Sequence, residues 1–80
     1  MAQAIAVDLA IDITSEICPM TFVRTRLALD RLSPGQILSV TLRGDESLRN
    51  VPLATTRQGH AIVSITTGAD GATTLLIRHA

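Results

Sequence analysis

The chain has 80 residues, 46% of them hydrophobic, with three prolines, five glycines and a single aromatic, Phe22; this is the composition of one globular domain, residues 1–80, not of a disordered or collagen-like segment. Seven arginines, with no lysine, balance seven carboxylates to a formal net charge of zero. Nonspecific nucleic-acid binding needs surplus cations or a stacking platform, and neither is present.

Cys18 is the only cysteine, so an internal disulfide and every multi-cysteine metal site are excluded. It is left as an inert core thiol, a reactive thiol or an intermolecular link. No run of ~18 apolar residues exists that could cross a membrane. Met1-Ala2-Gln3-Ala4 lacks the basic region of a signal peptide, and Asp8 and Asp12 interrupt the apolar stretch behind it. The expected location is the reducing cytoplasm.

Ile5, Val7, Leu9, Ile11 and Ile13 alternate with Ala6, Asp8, Ala10 and Asp12, which predicts a half-buried first strand with its carboxylates on the wet face. Thr14–Ile17 reads as a loop. Proline has a preset φ and no N–H to leave unpaired, so Pro19 reads as the first residue of a helix capped by Cys18. That helix is expected to reach about Leu32, where Ser33-Pro34-Gly35 stops it. Thr21, Phe22, Thr25, Ala28, Leu29 and Leu32 fall on one face of it and should pack on a sheet. Met20, Val23 and Leu27 make a second apolar stripe, flanked by Arg24 and Arg31.

A second strand is predicted from about Gln36, with Leu38, Val40 and Leu42 inward. Asp45 is the expected cap of the next helical segment. Because Pro52 interrupts the helical spacing, the sequence predicts one turn around Ser47–Asn50 and a separate helix from Pro52 to Gln58, ended by Gly59. Ala61–Thr67 and Thr73–His79 are predicted strands, joined by Gly68-Ala69-Asp70-Gly71 as a hairpin. Parallel strands joined through helices cross over with one hand. The order β-α-β-α-β-β therefore predicts a two-layer α/β sandwich, a mixed four-stranded sheet with two helices on one face.

This topology sorts the chemistry. Cys18, Arg43–Glu46 and Thr67–Gly71 fall at the carboxyl ends of the parallel strands, whereas His60 and His79 fall at the opposite end. A Cys–His pair and a mixed His/Cys metal site are both disfavoured, so neither metal nor cofactor is expected. The start of the helix, with its free N–H groups and positive dipole end, favours a thiolate; Glu16 opposes it, and Arg24 and Arg26 support it. A thiol with no base, metal or second cysteine is a poor hydrolase, and it suits accepting one atom from another protein and handing it on. Met20, Val23, Arg24 and Leu27 read either as a partner surface beside that thiol or as ordinary exposed residues. Arg24, Arg26, Arg43 and Arg49 read as a solvated face or as a guide for an acidic partner.

Cys18-Pro19-Met20-Thr21, Arg26, Ser33-Pro34-Gly35-Gln36, Arg49-Asn50-Val51-Pro52 and Gly59-His60 together resemble the TusA/SirA-like family of sulfur-carrier proteins, over nearly the whole chain. The family's central motif is Cys-Pro-x-Pro; Cys18 and Pro19 match it, Thr21 stands at the second proline, and Asn50 stands where aspartate is common. The resemblance implies strand order 1-2-4-3. It also implies a persulfide on Cys18, received from a desulfurase or rhodanese-like donor and relayed to an acceptor protein. In the family that sulfur goes to tRNA thiolation, molybdenum-cofactor maturation or sulfur metabolism. The chain would then be a sulfurtransferase-type carrier acting with partner enzymes, with Pro19, Met20, Thr21 and Arg26 setting the thiol's surroundings. Thr21 restores an N–H that proline lacks and adds a hydroxyl near the thiol, which is expected to alter reactivity or partner choice. The alternatives are an interaction or regulatory module with an incidental cysteine, and a thiol redox sensor.

Overall fold

The structure is a computed structural model that describes residues 6–17 and 20–80. Six elements follow in the expected order: β1 (Leu9–Asp12), α1 (Met20–Leu29), β2 (Ile37–Leu42), α2 (Asp45–Arg57), β3 (Ala61–Thr67) and β4 (Thr73–Arg78). The sheet order is β1-β2-β4-β3. β1 and β2 are parallel, with Leu9 opposite Leu38; β4 runs antiparallel to both β2 and β3. This is the mixed α/β sandwich read from the sequence.

Apolar side chains alternate on β2 and β4, and the alternation decides where the core sits. Leu38, Val40, Leu42, Leu75 and Ile77 are fully buried on the helix side, against Ile13, Ala28, Leu29 and Val51. The face away from the helices sets Ser39 opposite Leu76 and Thr41 opposite Thr74. The Thr41 and Thr74 hydroxyls lie 3.2 Å apart.

The first strand is shorter than its alternation suggests. Val7 is exposed and lies outside β1, while Ile5 lies outside the described residues. The Asp8 carboxylate is the reason: it accepts the Ile37 backbone N–H at 2.8 Å, and the Asp8 N–H donates to the Ile37 carbonyl at 2.9 Å, closing the pairing at the first residue of β2. Asp8 is therefore a backbone partner as well as a wet-face residue.

The second helix corrects the sequence reading. α2 is one continuous helix with Pro52 inside it. Proline leaves the Leu48 carbonyl without its intrahelical donor, at a cost of roughly 3 kcal/mol in an exposed helix. The inward positions Ser47, Val51 and Thr55 are all buried, at spacing four on both sides of the proline, so packing on the sheet outweighs local propensity. Asp45 is likewise the first helical residue and not the cap. Gly44 caps at φ 99°, with no side-chain hydrogen bond, and Asp45 and Glu46 place their carboxylates in the first turn, where the helix dipole favours them. At the far end Gly59 takes φ +94°, its N–H donates to the Thr56 carbonyl at 3.0 Å, and the His60 N–H donates to Thr55 at 3.3 Å. That paired bonding around a left-handed residue is what the predicted glycine stop requires.

His60 and His79 meet where β3 begins and β4 ends, their ring centroids 4.7 Å apart. The His60 Nδ1 accepts the Ala80 N–H at 3.0 Å. Burial lowers the His60 pKa from its ordinary 6.5, the neighbouring His79 lowers it further, and the Asp30 carboxylate opposes both. The unfolded chain therefore binds this proton more readily than the folded one. Stability is complete above pH ~6.5 and declines as the pH falls toward the lowered folded value. Thermal unfolding followed between about pH 7.5 and 5 should show this decline, and His60→Gln should flatten it. Equal slopes in the two proteins would contradict the assignment.

Candidate functional site: the start of the first helix

Ile13 ends the first crossover strand by donating its N–H to the Thr41 carbonyl at 2.8 Å. The Asp12 carboxylate then folds over the turn, accepting the Thr14 N–H at 3.0 Å and the Thr14 hydroxyl at 2.8 Å. These two bonds hold its pKa below the ordinary carboxylate value. Local side-chain bonding of this kind is what turns a chain out of a strand. The loop that follows carries Ile17, 78% exposed, into α1. The Ile17 carbonyl accepts two N–H groups, from Met20 at 2.7 Å and Thr21 at 3.3 Å. Cys18 and Pro19 lie outside the described residues, and so do their assignments as helix cap, first helical residue and reacting thiol.

Around that segment the predicted faces of α1 separate cleanly. Thr21, Thr25, Ala28 and Leu29 are buried, with Phe22 and Leu32 packed against the core. Met20, Val23 and Leu27 stay on the outside at 45%, 38% and 57% exposure, beside exposed Arg24 and Arg26. Arg24, Leu27 and Arg31 also line a groove between α1 and β1, with Ile11 and Ile13 on its far wall. The structure thus runs an apolar stripe with flanking arginines along the outer face of α1, starting from the carboxyl end of the parallel strands.

Arg43 is not free to guide a partner. Its guanidinium donates to the Asp70 carbonyl at 2.7 Å and pairs with the Asp70 carboxylate at 2.9 Å, closing the hairpin turn over the end of β2. Glu16, Ile17, Arg43, Asp45, Glu46 and Ser47 line a shallow pocket where that turn, the loop and α2 meet. Among the described residues, no cluster of three or more His, Cys, Asp or Glu side chains is placed to hold a metal ion. His60 and His79 sit at the other end of the sheet, ring against ring, with the His60 Nδ1 accepting the Ala80 N–H.

Sequence reasoning missed Ser47. Its hydroxyl lies 2.9 Å from that of Thr21, both side chains being buried, so the first turns of α1 and α2 are tied together. The Thr21 carbonyl in turn accepts the Thr25 hydroxyl at 2.8 Å. The Thr21 hydroxyl is therefore held from the α2 side, because residue 21 falls on the inward face of α1. Nothing in a single sequence pairs residues 26 apart; the available signal was that 47, 51 and 55 share the inward face of α2.

The sequence profile of the family described as Sulfurtransferase TusA matches residues 9–79. This chain belongs to the TusA family. The TusA-family chain is 36% identical over 55 residues to a candidate sulfur carrier protein of Archaeoglobus fulgidus, covering 69% of this chain and 62% of that one. It thus spans less than two thirds of that relative's length. It is also 33% identical over 58 residues to the candidate sulfur carrier YedF of Escherichia coli, covering 72% of this chain and 75% of the relative. The crystal structure of a SirA-like protein from Desulfitobacterium hafniense superposes with a TM-score of 0.78 at 22% identity, over 88% of this chain and 95% of that one, and shows the shared fold.

The Thr21–Ser47 bond lies buried between the first turns of α1 and α2. Removing one hydroxyl leaves the other buried without a partner, which costs ~1–3 kcal/mol. Thr21→Val and Ser47→Ala should each lower stability in urea unfolding by about that much, and the double variant by clearly less than the sum. Additive losses would mean that the two hydroxyls act independently.

Proposed function

We propose that this protein carries sulfur as a persulfide on Cys18 and relays it from a donor protein to an acceptor protein in a reducing, cytoplasmic setting. The Cys18 thiolate attacks the terminal sulfur of a donor persulfide. The donor's S–S bond breaks as the new one forms, and the donor departs as a thiolate. One sulfur moves, with no net oxidation and no external reductant. Delivery reverses the roles, the acceptor's nucleophile attacking the terminal sulfur and releasing Cys18.

The observation that carries this reading is the outward stripe of Met20, Val23 and Leu27, which begins two residues after Cys18 and is flanked by Arg24 and Arg26. A carrier has to present its sulfur to two partners in turn. An apolar patch with a basic rim beside the thiol gives both partners one surface to dock on. Family membership and the relatives' names support sulfur as the cargo. Pro19 and Thr21 set the helix start, and the helix dipole favours the anionic sulfur.

Incubation of the reduced protein with a cysteine desulfurase and cysteine should add one sulfur, ~32 Da, to the intact mass. Reductant should remove the gain, and Cys18→Ser should abolish it. Leu27→Asp should slow loading by about tenfold or more while leaving the far-UV spectrum unchanged. A peroxide-induced dimer with no persulfide would favour the redox sensor. Full cellular function in Cys18→Ser would favour the interaction module.

A further inference from the structure

The sheet has two free edges, β1 and β3, and they are built differently. β1 is four residues long, with Asp8 just before it and Asp12 at its end, so a carboxylate stands at each end of that edge. β3 is seven residues, Ala-Ile-Val-Ser-Ile-Thr-Thr, without a single charge or proline. Five of its residues are β-branched, and Ile65 is 58% exposed, with Thr66 and Thr67 exposed beside it. Natural sheets guard such edges with charge, proline, shortness or a bulge. β3 has only a bulge, between Ile62 and Ser64; from Ser64 to Thr67 its register with β4 is regular.

Alternate N–H and C=O groups of an edge strand point away from the sheet, and the partner that satisfies such a row is another strand. We propose that β3 pairs antiparallel with β3 of a second copy, about a two-fold axis at Ile65, joining two four-stranded sheets into one. A second copy fits for two reasons. An uncharged strand meets itself without like-charge repulsion. Ile65 is in register with Leu75 and Val40, on the helix side of the sheet, so the Ile65 pair also makes the two apolar layers continuous.

The paired edge lies across the sheet from β1, with α2 packed on its side and α1 on β2, so the Met20–Val23–Leu27 stripe stays open in both copies. One strand pair buries less than the ~1,200–2,000 Å² of stable interfaces, so the dimer is weak and concentration-dependent.

In reductant, sedimentation velocity should show a monomer at about 10 µM and a rising dimer fraction toward about 1 mM. Amide resonances that move on dilution should map to residues 61–70. Ile65→Lys and Thr66→Lys should each weaken association at least ~10-fold. Should Ile65→Lys unfold, Thr66→Lys, whose side chain points to the open face, decides alone. A monomer at ~1 mM, dilution shifts confined to α1 or β1, or lysine variants that dimerise as the parent does would each overturn the proposal.

Discussion

The parallel pairing of β1 with β2 is the constraint from which the rest follows. Two parallel strands have to be joined by a crossover, and a right-handed crossover places α1 on one face and its start at the carboxyl end of the sheet. With β4 antiparallel between β2 and β3, α2 lands on the same face, and one layer of helices closes the core. The first turns of both helices consequently meet, and the buried Thr21–Ser47 hydroxyl pair fixes how they meet. The loop after β1 thus reaches Ile17 and α1 opens at Met20, both exposed.

That arrangement divides labour by position. The carboxyl end gathers the loop after β1, the Arg43–Asp70 closure and the α2 start; the other end holds the histidine pair. A reacting group at the carboxyl end gets no imidazole from this chain's described residues. Its chemistry has to rest on helix-start electrostatics and on what partner proteins bring. A relay, in which the partners supply the catalytic groups, fits such a surface better than a self-contained hydrolase.

Much of this was legible in the residues because period and burial agree there. The inward face of α1 could be read from Thr21, Thr25, Ala28 and Leu29, and its outward stripe from Met20, Val23 and Leu27, since a helix with two apolar stripes can turn only one to the sheet. The strands were legible from alternation and the β3–β4 hairpin from the glycines that turn it, whereas the order that sets β4 beside β2 came only with the family resemblance. What was not legible depends on tertiary contact. Pro52 reads as a break until packing at Ser47, Val51 and Thr55 holds the helix through it. Val7 reads as strand until the Asp8 carboxylate takes the Ile37 N–H and ends the pairing. Ser47 reads as one more polar residue of a helical turn until the Thr21 hydroxyl is set against it. The bulge in β3 leaves no glycine or proline to mark it in a strand rich in β-branched residues.

A sulfur relay through this chain requires an open thiol at position 18. Alkylation of native protein by iodoacetamide across pH 5–9, compared with the same chain in urea, measures that directly. The expected result is a native rate within about tenfold of the unfolded rate, with a titration midpoint below that of the unfolded thiol. Protection of about a thousandfold, lifted only by global unfolding, would mean a buried thiol and would contradict the account.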